Sequence, residues 1–143
     1  MEMIVDATDL VLGRFSSQVA KELMNGKDVV VVNSDKAVIS GNEKYTLSEY
    51  DAWTKIHSLV DPKQGPFHPK SSGDLVRRTV RGMLPMKKPK GRNAYNRLEA
   101  HSDVPKKFEG NETKTYPKSN VENLNTRRFI RLGELSKRLK EGK

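Results

Sequence analysis

A chain of 143 residues is long enough for one buried core and too short for two ordinary domains. It carries 27 Lys and Arg against 18 Asp and Glu, a net charge of +9 and an isoelectric point of about 9.8, which favours polyanionic partners. It has no cysteine, so disulfides and thiolate metal sites are excluded. No run approaches the roughly 20 apolar residues of a membrane-spanning helix, and no basic n-region with an apolar run opens the chain. A soluble, non-secreted protein is the expectation.

In chain order, Met3 to Asp6 is a short apolar run, followed by the turn-like residues Ala7 to Gly13. Phe15, Val19, Ala20, Leu23 and Met24 then recur at helical spacing, and Asn25-Gly26 supplies a C-terminal stop. Asp28 to Ser34 is a continuous β-branched run, the pattern of a strand buried on both faces of a parallel sheet. Strand, helix, strand reads as a βαβ unit. A second run, Ala37 to Ser40, ends at Gly41-Asn42. Glu43 to Lys55 predicts a helix with Leu47, Tyr50 and Trp53 among its apolar residues. Tyr45, Tyr50 and Trp53 read as packing aromatics.

Val60 to Gly73 holds three prolines and two glycines and reads as loop. Ser71 or Ser72 then offers an N-cap, Asp74 suits the first turn, and Leu75, Val76, Val80, Met83 and Leu84 form an apolar stripe stopped by Pro85. A short helix is expected near Asn93 to Arg97. Pro105 to Ser119 lacks a period, and Leu132 to Leu139 reads as a closing amphipathic turn or two. The expected division is an α/β domain over residues 1–104 and a basic C-terminal extension over 105–143, ordering only on a partner.

Charge is unevenly spread. Residues 1–60 hold six basic against nine acidic side chains, a net of −3, whereas residues 61–143 hold 21 against nine, a net of +12. Leu75 to Leu98 contains no acid and eight cations: Arg77, Arg78, Arg81, Lys87, Lys88, Lys90, Arg92 and Arg97. On a helix Arg77 and Arg81 share a side at i and i+4, away from the apolar stripe. Such like charges repel by a few tenths of a kcal/mol, a cost that a phosphate between them removes. Solvated charge is the ordinary reading of a basic helix, but a run this long without one acid argues for a polyanion. The stripe lacks the interfacial Trp or Phe of a membrane-surface helix. Arg14 follows Gly13 at the start of the first helix, where backbone N–H groups favour an anion. His68, in the loop feeding the basic helix, is a candidate stacking or phosphate-contacting group.

Enzyme signatures are missing. There is no G-x-G-x-x-G, Gly26-Lys27 is followed by Asp28 instead of a hydroxyl residue, and His57, His68 and His101 stand far apart without an H-E-x-x-H helix or nucleophile elbow. Asp6, Asp9, Asp28 and Asp35 read as strand-end and turn residues, and neither a metal nor a cofactor is expected.

Three ordered blocks resemble one known family. VRGMLPMKKPKGRNAYNRLEA, from Val80 to Ala100, is similar to the signature of the large-subunit ribosomal protein L-thirteen family. IVDATDLVLGRFSSQVAKEL and VVVVNSDKAVISGNE resemble its opening and its second strand with the following turn. The short N-terminus and the wording NSDKAVISG look like the archaeal and eukaryotic branch more than the bacterial one, and the compact length favours the archaeal side. Where many members carry an aromatic, this chain has His101. The resemblance implies a three-layer α/β domain with a small, mainly parallel sheet, and a cytoplasmic structural protein of the large ribosomal subunit. By the same resemblance it binds large-subunit ribosomal RNA, supports subunit assembly, touches neighbouring large-subunit proteins, and has no membrane partner or small-molecule substrate. Gly82, Met83, Leu84 and Pro85 would shape the turn at the RNA face. The basic residues named above would contact phosphates, joined by Arg127, Arg128 and Arg131. The alternatives are a regulatory RNA binder outside the ribosome and an RNA-processing enzyme.

Overall fold

The computed structural model describes residues 2–56, 59–61, 63, 65, 68–124 and 128–141. Its centre is a three-stranded parallel sheet of order β1-β2-β4, formed by β1 (Glu2–Asp6), β2 (Asp28–Val32) and β4 (Leu98–Ala100). β2 lies in the middle because Val29 to Val32 can be buried on both faces, and all four are at most 2% exposed. Helix α1 (Leu12–Met24) crosses between β1 and β2 and buries Phe15, Val19, Ala20 and Leu23, which completes the βαβ unit. Gly26 follows its C-cap, Asn25, at φ 92°, the left-handed stop that the Asn25-Gly26 pair signals.

One face of the sheet, with Val5, Val29, Val31 and Leu98, meets the helices. These are α1 and α3 (Ser72–Arg81), with α4 (Pro89–Asn96) packed on α1 and α5 (Leu132–Glu141) on α3. The opposite face, with Ile4, Val30 and Val32, is closed by Phe108 of a short 3-10 turn and by Val104. The result is three layers, the outer one thin. Helix α2 (Glu43–Thr54) packs against α5 and against a two-stranded antiparallel ribbon of β3 (Val38–Ser40) and β5 (Phe129–Arg131).

Three local readings differ from the sequence expectation. Tyr45 is 64% exposed instead of packed, because α2 buries only Thr46 fully and turns Leu47, Tyr50 and Trp53 part-way inward. The stripe of the basic helix stops earlier: α3 ends at Arg81, so Met83 is 43% exposed while Leu84 folds back into the core. Helix α4 begins four residues before Asn93, at Pro89, whose fixed φ and missing N–H suit the first helical position.

Residues after Pro105 return to the core. Lys114 exchanges backbone hydrogen bonds with the edge of β1, its N–H to Ile4 at 2.8 Å and its carbonyl from Asp6 at 3.0 Å. Tyr116, Ile130, Leu132, Leu135 and Leu139 belong to the same apolar cluster as Phe15 and Val31. Sequence periodicity misses this because the stretch between β4 and β5 supplies single anchors, spaced by turns.

Candidate nucleic-acid interface

Helix α3 is set by opposed demands. Leu75, Val76 and Val80 face α1 and the sheet, the Ser71 hydroxyl accepts from the Asp74 N–H at 3.3 Å, and Gly73 lets the helix start approach β4 closely. A Cβ on Gly73 would stand 2.8 Å from the Ala100 carbonyl oxygen. The remaining surface carries Asp74, Arg77, Arg78 and Arg81. With Pro69 and Tyr95 of α4 these residues line a groove of about 480 Å³.

Two of the guanidinium groups are held by rings. Arg77 lies over Tyr95 at 4.6 Å and Arg78 over Trp53 at 4.4 Å, distances at which the ring quadrupole attracts a cation. Trp53 is packed edge-on by Tyr50 at 5.7 Å and by His68 at 4.5 Å. The His68 Nε2 stands 2.7 Å from the Ile56 carbonyl oxygen, and its Nδ1 is buried without a partner among the described residues. His68 thus supports Trp53, which supports Arg78. Tyr95 and Trp53 are contributors that a reading by charge alone misses. Tyr95 at least lies inside the acid-free run, whereas Trp53 stands 22 residues before it, and nothing in the sequence ties it to Arg78.

Beyond α3 the chain turns through Gly82, Met83, Leu84 and Pro85. Gly82 has φ −65° and ψ −16°, open to any residue. The strict requirement falls on Gly91, where an added Cβ would overlap the carbonyl oxygen of Pro85. Buried Leu84 anchors the turn, and the Lys88 N–H donates to Pro85 O at 3.0 Å. Lys87, Lys88, Lys90 and Arg92 are exposed on this platform. Among the described residues, no carboxylate stands within ion-pair distance of them or of Arg77, Arg78 and Arg81.

Other expected contributors are placed elsewhere. The Arg97 Nη2 donates to the Leu23 carbonyl at 2.5 Å, closing the C-terminal end of α1. The Arg131 Nη1 is shared between Asp9 Oδ1 at 2.5 Å and the Lys36 carbonyl at 2.6 Å. Arg14 is exposed on the first turn of α1, which has no acidic residue and no side-chain cap. Arg128 is exposed beside β5, and Arg127 and His57 lie outside the described residues.

Among the described residues, no group of three or more His, Asp or Glu is placed to hold a metal ion. The aspartates act locally. Burial alone would raise the Asp6 carboxyl, but hydrogen bonds from the Thr8 hydroxyl at 2.6 Å, the Thr8 N–H at 3.0 Å and Asn33 Nδ2 at 3.1 Å, with Lys36 nearby, hold it below the ordinary carboxylate value. Asp35 accepts from Ser72 at 2.5 Å, and Asp28 is exposed at the head of β2. Among the described residues, no helix is long and apolar enough to cross a membrane.

Fold and surface together define a small, basic α/β protein with a run of cations on its α3–α4 face that no described carboxylate pairs. The family model of ribosomal protein L13 matches residues 1–107. The large ribosomal subunit protein uL13 of Methanosarcina barkeri is 39% identical over 137 residues, 95% of this chain and 96% of the relative. Its namesake in Methanocaldococcus jannaschii is 37% identical over 137 residues, with the same shares covered. That of Methanosphaera stadtmanae is 36% identical over 140 residues, 97% of each chain. The chain belongs to the ribosomal protein L13 family, a structural and non-enzymatic one, and these relatives are archaeal.

Proposed function

We propose that this protein is a constituent of the large ribosomal subunit in the cytoplasm, binding large-subunit ribosomal RNA through the α3–α4 face and supporting subunit assembly. The observation that carries the reading is the groove of Arg77, Arg78 and Arg81. Three guanidinium groups line it, two rings hold two of them in place, and no described carboxylate pairs with any. Gathering like charge this way is unfavourable in the free protein, and phosphates relieve it. Planar guanidinium forks match phosphate oxygens two at a time, and each neutralised phosphate releases counterions. Lys87, Lys88, Lys90 and Arg92 extend the positive surface along the platform. Family membership supplies the choice of RNA, and the C-terminal return brings further surface to neighbouring proteins of the subunit.

The deep, narrow groove of an A-form helix resists side-chain readout, so affinity and position come from phosphates and selectivity from the shape of a folded junction. The test is filter binding to large-subunit ribosomal RNA fragments across a salt series, with Arg77, Arg78 and Arg81 changed together to Ala. Wild type should bind selected fragments with a steep salt slope, and the variant's slope should be smaller by roughly 2 to 3. Equal, weak binding to every fragment, unaltered in the variant, would refute the reading.

A further inference from the structure

The groove between α3 and α4 contains one feature that phosphate binding does not use. Asp74 is its only acid among the described residues. Residues three and four further along the helix, Arg77 and Arg78, occupy the spacings at which an aspartate ordinarily forms an ion pair. Neither does so, because Arg77 is drawn onto Tyr95 and Arg78 onto Trp53. Only the Asp74 backbone N–H is engaged, by Ser71, and its carboxylate has no hydrogen-bond or ion-pair partner among the described residues. An acceptor-only group is therefore exposed in a cationic groove.

We propose that this groove takes one unpaired guanine nucleotide of the bound RNA and that Asp74 reads its base, an inference that rests on the RNA-binding function above. A volume of about 480 Å³ exceeds what a single nucleotide fills. The bound nucleotide's phosphates lie on Arg81 and Arg77, and the base stacks on the face of the Arg77 guanidinium opposite Tyr95, a mode of support that unstacked bases commonly find. The carboxylate then selects among bases by donor count. Guanine presents N1–H and N2–H side by side, matching two carboxylate oxygens, whereas adenine, cytosine and uracil each present one such donor group on that edge. A base edge held through two such bonds is discriminated on the order of tenfold or more from one that cannot make them.

The experiment uses the full chain and fluorescein-labelled pentanucleotides with a central G, A, C, U or inosine flanked by uridines, read by fluorescence anisotropy. Wild type should bind the central-G oligomer about tenfold more tightly than the A, C and U versions, with inosine, which keeps N1–H but lacks the N2 amino group, falling with them. Asp74→Asn should abolish that preference and leave the salt slope unchanged, since an asparagine offers one acceptor where the carboxylate offers two. An aspartate serving only the start of α3 would alter the melting temperature and leave base preference intact, which overturns the proposal. Equal wild-type affinity for all five oligomers also overturns it, while binding to ribosomal RNA fragments still stands. Failure to bind fragments and oligomers alike overturns both readings.

Discussion

The basic residues of α3 and α4 and those at the two ends of the small sheets look alike in sequence and behave differently in the fold. Arg77, Arg78 and Arg81 line an open groove, the first two held over rings and none paired with a carboxylate among the described residues, whereas Arg97 caps the carbonyl end of α1 and Arg131 joins Asp9 to the Lys36 carbonyl. Positive charge alone does not mark a binding face. What separates the two groups is whether the fold supplies acceptors, and for α3 it supplies aromatic faces, which orient a cation without neutralising it.

The largest effect tests the region after Pro105. Leu135→Ala should destabilise the whole protein by about 2–5 kcal/mol, because the lost side chain leaves a cavity in the shared core. A single shifted urea transition is expected. A separate early transition confined to the C-terminal region would support the division into a domain over residues 1–104 and an extension over 105–143. Gly91→Ala should cost about 3 kcal/mol, since the new methyl overlaps the Pro85 carbonyl and the platform must move. Its RNA affinity should fall with its stability, while Gly82→Ala, in ordinary helical geometry, should change the unfolding midpoint little.

Next comes the direct contrast of arginines. Arg81→Ala should lower RNA affinity several-fold and reduce the salt slope by about 1, with stability nearly unaltered. Arg131→Ala should do the reverse, losing up to about 1 kcal/mol of stability through its partly exposed pair and keeping its RNA affinity. Equal losses of affinity would place both arginines on the RNA face. The smallest effect is acid dependence at Asp6. A carboxyl held low in the native state contributes stability above its unfolded value, near 3.8, and loses it as pH falls through the native value. The difference in stability between wild type and Asp6→Ala should therefore be full at neutral pH and shrink on acidification below about pH 4. A pH-independent difference would mean that the Thr8 and Asn33 hydrogen bonds matter equally to the neutral acid.

Much of this was legible in advance where residues act through near neighbours. The β-branched run before Ser34 announces a central strand, and Ser71, Asp74 and the 75-76-80 stripe announce α3. The acid-free stretch from Leu75 to Leu98 announces the basic face. Less was legible where one residue meets another far along the chain. Nothing near Arg97 in sequence points to Leu23, and nothing near Gly91 in a charge count shows that Pro85 lies against it.

By itself, the amino-acid order determined the βαβ opening, the concentration of positive charge in the second half, the lack of nucleophile and cofactor motifs, and the resemblance to a family. Periodicity, capping and composition act over a few residues, so they survive without coordinates. Only the tertiary structure decided which cations remain uncompensated, which rings hold them, that Asp74 stands apart from Arg77 and Arg78, and that Leu132, Leu135 and Leu139 share a core with Phe15. Those outcomes depend on packing between segments distant in the chain, where one carbonyl or ring within about 5 Å redirects a guanidinium group that the sequence shows only as a charge.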